Sequence, residues 1–180
     1  DVLGSRGLGD VYKRQIYSSA VDCCEEYRPM MRPLVYIWSK HRQAVEWEDE
    51  YMFGESLLVA PLFEENQTSR KLWLPPGKWY GFFSKKEYSG DVLIASEERF
   101  PVYIRDGHAV AMKEYAQEDI GKAGTLATED TDKLHFVLAG ACGKYRFRDE
   151  KSEIVLSWEQ GKVESDIKGA KRTFTWEIIK

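Results

Sequence analysis

Between Gly54 and Pro61 the chain reads Glu55-Ser56-Leu57-Leu58-Val59-Ala60, with no polar residue from Leu57 to Ala60. Successive side chains of a strand point to opposite faces, so a consecutive apolar run needs cover on both faces. Such a segment is expected in a parallel sheet packed on both sides, as in an α/β barrel. It therefore demands strand neighbours at its edges and apolar layers above and below. A chain of 180 residues with 43% hydrophobic content can supply a sizeable core.

The sequence around this run divides into three parts. Residues 1–15, DVLGSRGLGDVYKRQ, follow neither period 2 nor period 3.6. Gly4, Gly7 and Gly9 have the wrong spacing for a GxGxxG phosphate loop, and no strand precedes them. The stretch resembles adapter read-through at the start of translated metagenomic fragments, so it is expected to be a non-native, poorly packed leader. Residues 16–62 are expected to be the end of a (β/α)8 barrel. Ile16, Ala20, Cys23, Cys24 and Tyr27 fall at helical spacing, and Arg28-Pro29 stops the helix. The apolar runs Met30–Trp38 and Ser56–Ala60 then supply the last two barrel strands.

After Phe63 the style becomes all-β. Two short strands flank Pro75-Pro76-Gly77, and strand-like segments recur near 91–95, 101–105, 109–112, 134–138, 144–148, 153–158 and 172–179. Residues 63–180 are thus expected to form an antiparallel β-sandwich, with the polar stretch 114–133 as a loop. The overall fold class is mixed: last strands and helix of a barrel, then a sandwich.

Several chemistries are excluded at this level. A net charge of −4 with Lys and Arg scattered among acids does not suit nucleic acid. No apolar run approaches a membrane span. Cys23, Cys24 and Cys142 fit no disulfide framework and no CxxC metal spacing, and His41, His108 and His135 lack ligand spacing such as HExxH. No metal or cofactor is expected. Glu46, Glu48, Asp49 and Glu50 read as a solvated helix start. Ser56 lies in Gly54-x-Ser56-x-Leu58, which misses the last Gly of a nucleophile elbow. Trp73, Trp79, Tyr80, Phe82 and Phe83 sit beside turns on short strands and read as sandwich core rather than a sugar-stacking platform.

Four segments carry a more specific signal. Pro29-Met30-Met31-Arg32-Pro33-Leu34 resembles the "PvmRPl" segment of family 31 glycoside hydrolases. Asp49–Pro61 is similar to that family's "dqfmfGdsLLvaPv", Leu74–Tyr80 to "lPpGkWyd", and Phe100–Gly107 to "iPvfvRaG". They occur in the family's order over roughly residues 16–113, while 114–180 match only loosely. Three positions depart from the pattern. Tyr27 stands where the family often has Gly, Gly81 where Asp is frequent, and His108 where a small or apolar residue is usual.

The resemblance implies a retaining enzyme acting on terminal α-glycosidic bonds with two Asp on a barrel. Its nucleophile segment, "WxDMnE", and its acid/base segment, "HWxGD", do not occur here. No residue is therefore expected to be catalytic. Arg32 alone has a claim to the neighbourhood of the site, either orienting a site carboxylate or forming a structural ion pair. The expected partners are an α-linked oligosaccharide or glycoside and the missing catalytic barrel. The alternative is a stand-alone carbohydrate-binding or interaction module built on the sandwich. Residues 16–62 argue against it, because a twice-buried strand without neighbours makes sense only beside a missing barrel.

Overall fold

The computed structural model describes residues 16–98, 100–113, 133–170 and 173–180. The leader expected at 1–15 and most of the polar stretch (114–132) lie outside them.

Helix α1 spans 16–26, as the spacing predicts. Tyr27 then adopts a left-handed φ of 53°, and the Arg28 N–H donates to the Cys23 carbonyl at 3.0 Å. This closes the helix by a Schellman-type turn, in which the left-handed residue is usually Gly. Tyr27 is 95% exposed, so its ring gains nothing from packing there.

Among the described residues fourteen strands follow: β1 (Met31–Pro33), β2 (Tyr51–Phe53), β3 (Leu57–Val59), β4 (Arg70–Leu74), β5 (Lys78–Gly81), β6 (Glu87–Ser89), β7 (Val92–Ser96), β8 (Val102–Arg105), β9 (Ala109–Lys113), β10 (Lys133–Ala139), β11 (Cys142–Arg148), β12 (Ser152–Glu159), β13 (Lys162–Gly169) and β14 (Thr173–Ile179). Two short helices, α2 (Leu34–Ile37) and α3 (Arg42–Glu46), lie between β1 and β2. The strands form a central six-stranded sheet ordered β1-β2-β3-β8-β5-β6, an outer pair β4-β7, a third sheet β14-β10-β9, and a distal sheet β11-β12-β13.

Three cores separate these layers. Leu72, Trp73 and Leu74 of the outer pair pack on Met52, Leu58, Trp79 and Tyr103 of the central sheet, with Leu34 and Ala44 closing one side. The opposite face of the central sheet gives Leu57, Tyr80 and Ile104 to a core with Val110, Val137, Ala139 and Ile179. The third and distal sheets then enclose Leu134, Phe136, Leu138, Phe147, Ile154, Leu156 and Trp158. Strand β12 has the alternation expected of a one-sided strand: Ser152, Ile154, Leu156 and Trp158 point inward.

The run Leu57–Ala60 is buried on both faces as expected, Leu58 and Ala60 toward one core and Leu57 with Val59 toward the other. Its pairing differs from the expectation. Barrel strands have parallel neighbours, whereas β3 pairs antiparallel with β2 on one edge and β8 on the other. Both neighbours come from this chain, so no edge of β3 is open. The apolar run reflects a middle layer in a stack of sheets; periodicity reports burial, not strand direction.

Other differences are local. Strands β4 and β5 flank Pro75-Pro76-Gly77 but do not pair with each other; β4 pairs with β7, and β5 with β8 and β6. The turn therefore carries the chain from one layer to the next. The sheets are antiparallel except where β10 and β14 run parallel. The central sheet draws strands from both sides of residue 63. The acidic group at 46–50 is not a helix start: Glu46 ends α3, and Glu50 is 1% exposed.

Candidate functional site

Arg32 sits at the centre of β1, whose exposed–buried–exposed pattern turns it inward. It is 3% exposed. A buried guanidinium needs a partner, and the β2–β3 turn supplies one. Gly54 (φ 60°) bends the chain there, and the Glu55 carboxylate receives the Arg32 Nη1 hydrogen bond at 2.8 Å. Arg28 Nη1 approaches the same oxygen at 3.0 Å. Burial alone would push the Glu55 carboxyl up, but the hydrogen bond and charge of Arg32, with Arg28 and His108, outweigh it and hold it below the usual range.

Arg32, Gly54, Glu55 and His108 line a cavity of about 230 Å³ between α1, the β2–β3 turn, the β8–β9 turn and β11. Ser19 and Cys23 enter from α1, Ser56 and His108 from the central-sheet turns. Burial pushes the His108 imidazole down, so it is neutral near pH 7, and its Nδ1 lies 3.0 Å from the Asp106 carbonyl oxygen. That nitrogen is engaged by backbone rather than by a carboxylate, unlike the base of a Ser-His-acid arrangement. The cavity thus joins Ser56 and His108, distant in sequence, without making them a nucleophile and its base. Burial likewise raises the Cys23 thiol.

The other sequence candidates are scattered. The His41 ring lies tilted against Trp73 with centroids 5.9 Å apart, and His135 Nδ1 meets Thr175 Oγ1 at 2.8 Å. Among the described residues no group of three His, Cys, Asp or Glu could hold a metal, and no helix is long and apolar enough to cross a membrane. Trp73, Trp79, Tyr80 and Phe82 are buried in the cores, while Phe83 is 46% exposed and packs edge-on against Phe82. The acidic run places Glu50 on a solvated surface, whereas the structure buries it, and among the described residues its carboxyl is shifted strongly by its surroundings. Burial pushes it to about 8; its Oε1 accepts the Trp73 N–H at 2.9 Å, and its Oε2 has no partner. Arg70 stands 3.7 Å from it, too far to hydrogen-bond, and pairs instead with Asp49 at 2.7 Å. Only the third dimension could reveal this, because an acid in an acidic run reads as surface.

The Arg32–Glu55 pair and the Gly54 turn lie in the segments that carried the sequence resemblance. A family model described as the glycosyl hydrolase family 31 C-terminal domain matches residues 27–110. Residues 27–110 are thus similar to the C-terminal domain of family 31 glycosyl hydrolases. An α-glucosidase of Saccharolobus solfataricus is 35% identical over 98 residues, covering 54% of this chain and 14% of that protein. An isomaltosyltransferase of Sporosarcina globispora is 30% identical over 119 residues, covering 64% and 11%. The crystal structure of the GH31 α-xylosidase from Xanthomonas citri matches with a TM-score of 0.76 at 26% identity, over 96% of this chain and 21% of that one. The chain spans only 11% to 21% of the length of these relatives.

Proposed function

We propose that this chain is the C-terminal part of a retaining α-glycosidase hydrolysing terminal α-linked sugars, and that both catalytic carboxylates lie outside it. The observation that carries this reading is the match of residues 27–110 to the family 31 C-terminal domain. The chemistry of the cavity agrees. Retention needs a nucleophilic carboxylate and a protonated acid roughly 5–5.5 Å apart. Glu55 is held ionised by two arginines, so it is no proton donor. Glu50 keeps its proton near neutrality but is sealed in the core.

In this reading α1 is the final helix of the (β/α)8 barrel, and the barrel covers apolar side chains that this chain leaves exposed. Tyr27, Met31, Tyr36 and Val45 are each more than half exposed. A second reading, a self-sufficient sandwich module that binds carbohydrate, gains from the complete pairing of β3.

Assays of the purified chain on p-nitrophenyl α-glucoside and α-xyloside separate the outcomes. No turnover above buffer is expected, and the coding sequence preceding Ile16 is expected to hold both Asp motifs. Turnover that disappears in Glu55→Gln would overturn the proposal. Calorimetric binding of maltodextrin by the chain alone would support the module instead.

A further inference from the structure

Helix α1 is held to the rest of the chain in an unusual way. Most helices dock by burying an apolar stripe. Of residues 16–26 only Ser18 and Ser19 are buried, none belongs to a hydrophobic core, and Ile16 and Tyr17 are about 40% exposed. What α1 does make is polar. Ser18, Asp22 and Glu25 follow at i, i+4 and i+7 and so share one face. Strand β11 turns Arg146 and Arg148 to that face and Phe147 to the core behind.

Arg148 spans all three positions. Its backbone N–H donates to Ser18 Oγ at 3.0 Å, its Nη2 to Glu25 Oε2 at 2.9 Å and to Asp22, and its Nη1 to the other Glu25 oxygen. Arg146 Nη2 reaches Asp22 Oδ1 at 3.2 Å. A planar guanidinium bridging two carboxylates is the strong form of such contacts. Arg148 is 13% exposed in its side chain, so water screens it only partly.

We propose that Arg146 and Arg148 form an electrostatic latch, by which the distal sheet, outside the matched stretch, holds helix α1 in place against the domain at 27–110. The latch joins residues 123 to 130 apart in sequence, across the whole matched stretch. With only half-buried Ala20, Val21 and Cys23 to hold it otherwise, and no residue in a hydrophobic core, α1 loosens from its seat when the latch opens. The distal sheet then serves as a brace for the chain entering the domain rather than as a binding surface.

Cys23 reports on the seat, because it lies on α1 inside the cavity. In a Cys24→Ser/Cys142→Ser background it is the sole thiol of three. Its reaction with a chromogenic disulfide under native conditions is expected to quicken roughly tenfold or more in Arg148→Ala. The same rise is expected in Asp22→Asn/Glu25→Gln, with no further gain when the changes are combined, since both break one interaction. In 1 M salt the background protein should quicken several-fold and the variants little. Should Arg148→Ala disturb the distal sheet, as far-UV dichroism would reveal, the helix variant decides, since its substitutions lie outside every sheet. An unchanged Cys23 rate in Asp22→Asn/Glu25→Gln, or additive increases in the combination, would overturn the latch.

Discussion

The Glu50 carboxyl group accepts the main-chain N–H of Trp73 at 2.9 Å, tying the β2 entrance to β4 inside a core where Glu50 is 1% exposed. A folded-state value near 8, above the ordinary 4.5, means the native protein keeps a proton that the unfolded chain releases. Stability from this group is full below about pH 4.5 and is lost as pH rises through about 8. Glu50→Gln keeps the acceptor for Trp73 and removes the titration. Its melting temperature should match the parent at pH 5 and exceed it by several degrees at pH 9, a gain on the order of 2–4 kcal/mol. Parallel pH profiles of parent and variant in thermal unfolding would refute this.

The Arg32–Glu55 pair is asymmetric, with 3% and 45% of the side chains exposed. Glu55→Ala strands a buried guanidinium, whereas Arg32→Met leaves Glu55 its contact with Arg28 and with solvent. Urea denaturation at pH 7 should place Glu55→Ala about 2–4 kcal/mol below the parent and Arg32→Met within about 1.5 kcal/mol of it. The reverse order would mean that Arg32 acts mainly through packing.

Burial of β3 on both faces predicts equal sensitivity of adjacent residues. Leu57→Ala and Leu58→Ala should each lower stability by about 2–4 kcal/mol. Val163→Ala on the exposed distal strand should lose less than about 1 kcal/mol. A mild effect at either leucine would show that one face of the central sheet is poorly covered.

Tyr27 occupies a left-handed position at a helix end with its ring in solvent. Tyr27→Gly removes that strain and should raise stability by about 0.5–1 kcal/mol, read as a higher melting temperature with unchanged dichroism. The same geometry accounts physically for the glycine often found there in the resembling family. A neutral or lowered melting temperature would contradict it.

Much of the strand pattern was legible because alternation survives in one-sided strands such as β12. Strand β13, Lys162–Gly169, carries no such signal: apart from Val163 and Ile167 its residues are polar or glycine, and it is exposed along most of its length. The double burial of Leu57–Ala60 was legible, but its antiparallel neighbours were not, since apolar runs carry no strand direction. Arg32 stands out in the sequence because it lies in the Pro29–Leu34 motif. Its partner Glu55 and the buried state of Glu50 were invisible, because each depends on a turn or strand more than twenty positions away. The Ser18, Asp22, Glu25 face was present in the helix, but its arginines lie beyond the matched stretch.

The parallel pairing of β10 with β14 has a consequence for synthesis. As the polypeptide emerges, β9 and β10 are available long before residues 173–179, yet the third sheet needs those residues to cover one edge of β10 and to bring Ile179 into the core beside Val137 and Ala139. Until then a strand whose Leu134, Phe136, Val137 and Leu138 are all destined for burial offers an unpaired rim to any neighbour. Termination short of residue 173 would thus release a nascent chain prone to self-association, and chaperone demand should fall once residues 173–179 are made.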